Sequence, residues 1–280
     1  MLQSNASHEA KAASNQDKRL DAQACLDFKR QGYLVCPAPV LPTPDFARLR
    51  STLEGLLTAL PEGKRPEDMD VPHIVHPELF EFLFHKDVLD LVEPLLGPNI
   101  ALFSSHAICK PALDGKRVPW HQDSFYWKHL LTPVDVVTVW LAIDPSDEGN
   151  GAMRVIPGTH GDATVPYDDV DLHINTFPKE IGRAFINEAT SVTLALQPNH
   201  ASLHAAGLFH GSAANTSPRR RFGYTMRYMS TAVKYNSDVG TYHQIYLARG
   251  RDLAGNTYGD PMKPRPDLVA ARAGRIRKGH

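Results

Sequence analysis

The chain has 280 residues, 42% of them hydrophobic and 22% charged, enough apolar material for a sizeable core in one large domain or two modest ones. Thirty Lys and Arg against 31 Asp and Glu leave a formal charge of −1, so no global field points to nucleic acid or an anionic membrane, and a small molecule is the default partner. Cys25, Cys36 and Cys109 are odd in number and unrelated in spacing, which argues against a disulfide framework or a CxxC metal site and fits a reducing cytoplasm.

In chain order, residues 1–19 are polar and rich in Ala, Ser and Asn, without the apolar centre of a signal peptide, and are expected to be a flexible tail. Helices are predicted at 22–31, with Asp21 as N-cap and Gly32 as stop, and at 44–60, with Thr43 as N-cap and Pro44 at the first helical position. In the second, Leu49, Leu53, Leu56, Leu57 and Leu60 make one apolar face. A third helical region, 77–96, closes at Gly97-Pro98-Asn99. From Ile100 onward, β-rich runs alternate with turn residues: 101–110, 118–124, 135–143, 152–156, 191–197, 201–209 and 220–233. Many short strands after a helical layer predict a mainly β fold, a double-sheet jelly roll of the cupin type with the N-terminal helices packed on one sheet. A single domain over 20–261 is expected, followed at 262–280 by a basic tail carrying Lys263, Arg265, Arg272, Arg275, Arg277 and Lys278 against Asp267. No run approaches the roughly 18 consecutive apolar residues of a membrane span.

The run 118–124 carries the chemistry. In Trp120-His121-Gln122-Asp123, strand alternation puts His121 and Asp123 on one face and Gln122 on the other. An imidazole and a carboxylate on one face are two-thirds of a facial metal triad, and two His with one carboxylate leave the opposite face of the metal open, which suits a non-haem Fe(II) oxygenase. For the second imidazole, His200, His204 and His210 compete, since their spacings put all three on one face of an extended segment. His210 is favoured by its C-terminal neighbours: the small Gly211, the hydroxyl of Ser212 and the basic run Arg219-Arg220-Arg221. The loop 164–188, acidic at Asp168, Asp169 and Asp171 and carrying His173, has the length of a lid, and its acids favour an amine-bearing or neutral substrate. Phe125, Tyr126 and Trp127 are candidates to line the substrate pocket.

Trp120-His121-Gln122-Asp123, Asn150-Gly151 leading to Pro157-Gly158-Thr159-His160, and His210-Gly211-Ser212 through Arg221 together resemble the phytanoyl-CoA dioxygenase family over roughly residues 20 to 260. The resemblance implies an Fe(II)- and 2-oxoglutarate-dependent dioxygenase on a double-stranded β-helix, one that hydroxylates or otherwise oxidises a C–H bond using O2 and releases succinate and CO2. It places iron on His121, Asp123 and His210 and the distal carboxylate of 2-oxoglutarate on Arg221, eleven residues after His210, with a further hydrogen bond from Ser212 and with Trp140 and His106 as pocket walls. Similar enzymes that halogenate carbon have a small residue at the carboxylate position, so Asp123 favours hydroxylation. An arginine is also physically apt: a dicarboxylate that chelates iron by its 2-oxo acid end buries a second carboxylate, which a guanidinium fork neutralises bidentately. Arg219 shares the strand face of Arg221, so both remain candidates, while Arg220 faces away. The expected partner is a small molecule, a specialised metabolite or an amino-acid-like compound, with a homodimer as the oligomer if one forms. The alternative is a zinc-dependent, non-redox cupin-like isomerase or hydrolase, for which two His, one Asp and a water would suffice.

Overall fold

Asp21 starts the first helix as the sequence predicts: its carboxylate accepts the Ala24 amide at 2.7 Å, and Gly32, at φ 79°, ends Ala22–Gln31 in the left-handed conformation that glycine adopts at little cost. These details come from a computed structural model that describes residues 20–161 and 165–276. The tail expected at 1–19 lies outside the described residues. The second helix is Thr43–Thr58; Thr43 is inside it, Pro42 stands at the N-cap, and no side chain caps it. The region 77–96 is broken rather than continuous. A single turn, Pro77–Leu79, leads into Phe80–Leu83, and a separate helix, Lys86–Leu96, begins where the His85 ring accepts the Asp87 amide.

The helices bury Leu49, Leu53, Leu83, Val88 and Val92 against Leu102, Val139, Leu141, Leu203, Phe222, Tyr224, Met226 and Tyr228. Those partners alternate along the strands of a seven-stranded antiparallel sheet. Its order is Tyr33–Val35, Ala201–Ala205, Val136–Ala142, Arg221–Ser230, Ile100–Lys110, Tyr246–Arg249, with Met69–Asp70 also paired to Ile100–Lys110. One face of this larger sheet therefore holds the helical layer, and the other is free to meet a second sheet. That second sheet has four strands in the order Val192–Thr193, Arg154–Ile156, Phe209–Ser212, Val118–His121. The predicted jelly roll, mainly β with helices on one sheet, is the observed architecture.

Three departures affect the site. The predicted strand 118–124 stops at His121, and Asp123–Trp127 is a short helix, so the chain turns at the metal-binding motif. The run 201–209 is two strands, Ala201–Ala205 and Phe209–Ser212, which belong to different sheets. The turn between them lacks a strong sequence signal, yet Gly207 lies so close to the His160 carbonyl that a Cβ would come within 2.5 Å of its oxygen. The third departure is the basic tail expected at 262–280, which folds in its described part into the helix Pro266–Ile276, with Leu268 buried against Val71 and Ile74 and Arg272 bonded to Asp70. Apolar anchors and one acid thus outweigh the solvation of its cations. Among the described residues, no helix is long and apolar enough to cross a membrane.

Candidate metal centre

Strand Val118–His121 and strand Phe209–Ser212 are neighbours in the smaller sheet, and their register sets His121 directly opposite His210. The two rings lie 4.1 Å apart between centroids. Gln122 keeps extended backbone angles, φ −108° and ψ 130°, before the short helix begins, so Asp123 still falls on the side of His121 although it is no longer in a strand. Ligand atoms of His121, Asp123 and His210 all lie within 4.8 Å of one another, and all three residues are buried.

The tautomers are set by the backbone. His121 Nδ1 is 2.8 Å from the Pro119 carbonyl and His210 Nδ1 is 2.9 Å from the Leu208 carbonyl, each two residues back. A carbonyl can only accept, so Nδ1 carries the proton and Nε2 of each ring keeps a lone pair for a metal. Burial drives both imidazoles below the ordinary histidine pKa, His210 well below it, which keeps them neutral. Burial by itself would raise the Asp123 carboxyl; Arg227, His204 and the two imidazoles of the cluster hold it instead far below the usual carboxylate range. A neutral, neutral, anionic donor set suits a divalent cation.

The larger sheet supplies what surrounds this triad. His204 Nε2 and Arg227 Nε stand 3.7 and 3.8 Å from Asp123 Oδ2, an oxygen with no hydrogen-bond partner, while Oδ1 faces His121 Nε2 at 3.8 Å. His204 is thus in the site, but beside the carboxylate. His200, with its Nδ1 3.3 Å from the Pro198 carbonyl, is not part of the cluster of donors.

The arginine run separates cleanly. Arg219 is exposed and makes two 2.8 Å hydrogen bonds to Asp147. Arg220 pairs with Asp144 and Glu54. Arg221 alone is inside, 2% exposed, with Nε and Nη2 buried and unpartnered and its guanidinium 5.3 Å from the Trp140 ring. Trp140 can lie there because Gly223 has no side chain: a Cβ would come within 2.2 Å of the indole. Burial lowers Arg221 to about 10, so it stays charged at neutral pH.

Lys110 is fully buried directly across the ladder from Arg221 and donates to the Ala213 carbonyl. Burial first, and Arg221 second, lower it to about 6. Ser212 is buried at the end of the His210 strand. His106, opposite Thr225, sits midway along the same wall and is held at Nε2 by the Glu67 carbonyl, 3.2 Å, with Asp70 3.7 Å from Nδ1.

The described part of the loop, 165–188, does approach the metal cluster, but by its aromatics. Its strands Tyr167–Asp169 and Lys179–Ile181 form a hairpin tied down by Arg117, which binds Asn175 and Glu180. Phe177 packs edge-on to His121 at 5.2 Å, and Tyr167 stacks on Phe125 at 3.8 Å while its hydroxyl accepts the Gln122 amide. Asp168, Asp169 and Asp171 are exposed, the last two engaged by Lys179 and His173.

Residues 28–223 match the family model described as phytanoyl-CoA dioxygenase. The chain is 33% identical over 156 residues to a probable alpha-ketoglutarate-dependent hypophosphite dioxygenase of Stutzerimonas stutzeri, covering 54% of this chain and 53% of that protein. It is 27% identical over 194 residues to the peroxisomal phytanoyl-CoA dioxygenase of Rattus norvegicus, covering 65% and 55%. The chain spans about half the length of the curated relatives it matches. Among solved structures it is similar to the non-heme monooxygenase ThoJ in its apo form, with a TM-score of 0.67 at 22% identity over 90% of this chain and 94% of that one, a likeness of fold.

Proposed function

The chain belongs to the phytanoyl-CoA dioxygenase family, and from that premise we propose that it is an Fe(II)- and 2-oxoglutarate-dependent dioxygenase that hydroxylates, or otherwise oxidises at a C–H bond, a small-molecule substrate. The observation that carries this reading is the pairing of a buried two-His, one-carboxylate cluster with a buried guanidinium, that of Arg221, whose Nε and Nη2 have no partner among the described residues. Zinc hydrolysis would use the cluster alone; the second feature calls for a bound dicarboxylate.

His121, Asp123 and His210 would hold the iron. Iron with 2-oxoglutarate and O2 supplies the oxidising power, with release of succinate and CO2. The protein's residues do the rest. The Pro119 and Leu208 carbonyls fix the two imidazoles in the metal-binding tautomer. Arg221, which lies beside the Trp140 ring, and Lys110, opposite it across the ladder, would take the distal carboxylate of 2-oxoglutarate, with Ser212 as a further hydrogen-bond donor. His106, opposite Thr225, would stand on the same face between Arg221 and Arg227. Phe177 and Tyr167 keep water from the His121 side. Asp123 fills the position that a halide would need, which favours hydroxylation.

The substrate on this reading is a specialised metabolite or an amino-acid-like compound. The three free thiols, of which burial pushes Cys36 and Cys109 up to about 12, suit a reducing cytoplasm. Anaerobic addition of Fe(II) and 2-oxoglutarate should produce a weak visible charge-transfer band, and admission of O2 should then yield succinate. A protein that binds the metal but gives neither band nor succinate would overturn the assignment.

A further inference from the structure

Arg221, Gly223, Thr225 and Arg227 share the interior face of strand Arg221–Ser230, because side chains alternate along a strand. Six residues at about 3.3 Å each put the two arginines roughly 20 Å apart along the backbone, at opposite ends of the cavity. The metal-binding cluster lies toward the second of them, with Asp123 Oδ2 3.8 Å from Arg227 Nε. Arg227 therefore borders the side of the cluster away from Arg221, where a substrate must lie once 2-oxoglutarate occupies the other.

The surroundings of Arg227 are those of a cation held ready rather than satisfied. Its guanidinium lies over the Trp127 ring at 5.3 Å. Nη1 is 3.5 Å from Ser104 Oγ, at the outer limit of a hydrogen bond, and Nε is buried without a partner. Asp70, the other acid on this side, is taken by Arg272 and flanked by His106 at 3.7 Å. Asp123, at 3.8 Å, is outside hydrogen-bond range and has its charge offset when a divalent metal is bound. His73, His106, His121 and His243 are each lowered first by burial and further by Arg227, so the local positive charge rests on guanidinium groups and not on imidazolium. A buried guanidinium whose carboxylate neighbour Asp123 stays beyond hydrogen-bond range matches an oxyanion bidentately.

We infer that Arg227 seats an anionic group of the prime substrate, a carboxylate or phosphonate oxyanion, next to the metal centre. This rests on the reading that Arg221 takes 2-oxoglutarate. It replaces the amine-bearing or neutral substrate suggested by the acidic loop, whose aspartates face solvent.

The test is anaerobic titration of the Fe(II)- and 2-oxoglutarate-loaded enzyme with acetate and with methylphosphonate, acetamide serving as the neutral comparator, read by calorimetry and by perturbation of the charge-transfer band. Saturable binding of either anion is expected, acetamide should not bind, and the preferred anion identifies the headgroup. Arg227→Gln should weaken that binding at least about tenfold, and Arg227→Lys, which keeps charge but loses the fork, by less. Affinity for 2-oxoglutarate should stay within about twofold, and Fe(II) affinity should not fall, because the substitution removes a cation that stands beside Asp123. The inference is overturned if neither anion binds the wild type, if Arg227→Gln binds it as well, or if the substitution instead costs metal affinity, which would make Arg227 a brace for Asp123. If Arg227→Gln does not fold, unchanged binding in Arg227→Lys together with Arg227→Ala overturns it equally. A wild type that fails to bind 2-oxoglutarate before any anion is added would indict the functional reading and not this one.

Discussion

The two sheets that face each other across the cavity contribute different chemistry. The smaller sheet supplies the neutral imidazole donors, from two short strands whose rings are oriented by the carbonyls of Pro119 and Leu208, and Asp123 follows one of them after a single extended residue. The larger sheet supplies cations and orienting groups: Arg221, Lys110, Trp140, His204 and Arg227, on long strands that are clamped from behind by the helical core. On the proposed reading, metal capture and ligand recognition fall on separate walls, and damage to one wall should leave the other's function measurable.

The largest effect should come from breaking the donor wall. His210→Ala or Asp123→Ala should lower both Fe(II) affinity and coupled turnover by about three orders of magnitude or more, since each removes one of three ligands. His204→Ala, across the cavity, removes a neighbour of Asp123 and should cost only about 10–100-fold. Equal losses of iron in the His204 and His210 variants, measured by equilibrium metal titration, would erase the division.

Next is the recognition wall. Arg221→Gln should raise the 2-oxoglutarate requirement by about two to three orders of magnitude, the equivalent of about 3–5 kcal/mol for a buried carboxylate left without its cation, while iron binding stays near wild type. Arg219→Gln should do almost nothing, since it breaks only an exposed pair with Asp147. Reversed results in calorimetric titrations would mean that the strand register places the wrong arginine inside.

The smallest and sharpest effect concerns protons. Lys110 falls from an ordinary 10.5 to about 6 in the protein without a bound anion. A dicarboxylate beside it favours the charged form, so binding between pH 6 and 10.5 must draw a proton onto Lys110 and the affinity for 2-oxoglutarate should strengthen as pH falls through that window. The same depressed value means that Lys110 imposes no penalty on the folded state above pH 10.5 and its full penalty below about 6, so this residue's contribution favours stability at higher pH. Calorimetry in buffers of different ionisation enthalpy should show net proton uptake that Lys110→Met abolishes; proton release, or uptake that survives the substitution, would remove Lys110 from the pocket.

That His121 and Asp123 share one side could be read from the chain because their spacing is local: one extended residue between them suffices, whether or not a strand continues. The arginine choice could not, because Arg219 and Arg221 have the same parity and only Asp147, on a distant turn, draws the first outward. Lys110 was illegible for a similar reason: its burial depends on register with Arg221, more than a hundred residues later. Ala206-Gly207-Leu208 hid a change of sheet inside an apolar run, so the rivalry between His204 and His210 was resolved by their lying on opposite walls, 4.7 Å apart between ring centroids. The even spacing of Arg221 and Arg227 was the one overlooked signal that alternation alone could have supplied.

Strand Arg221–Ser230 is the last of the three central strands to be synthesised, yet it lies between the other two, Val136–Ala142 and Ile100–Lys110. Until it arrives, two strongly apolar strands each present an open edge where it will later sit, a template for pairing with another chain. The nascent protein accordingly has no foldable halfway point in this sheet: a ribosome that stalls short of residue 221 releases an aggregation hazard rather than a weakened enzyme, and efficient production depends on shielding those edges until the keystone strand emerges.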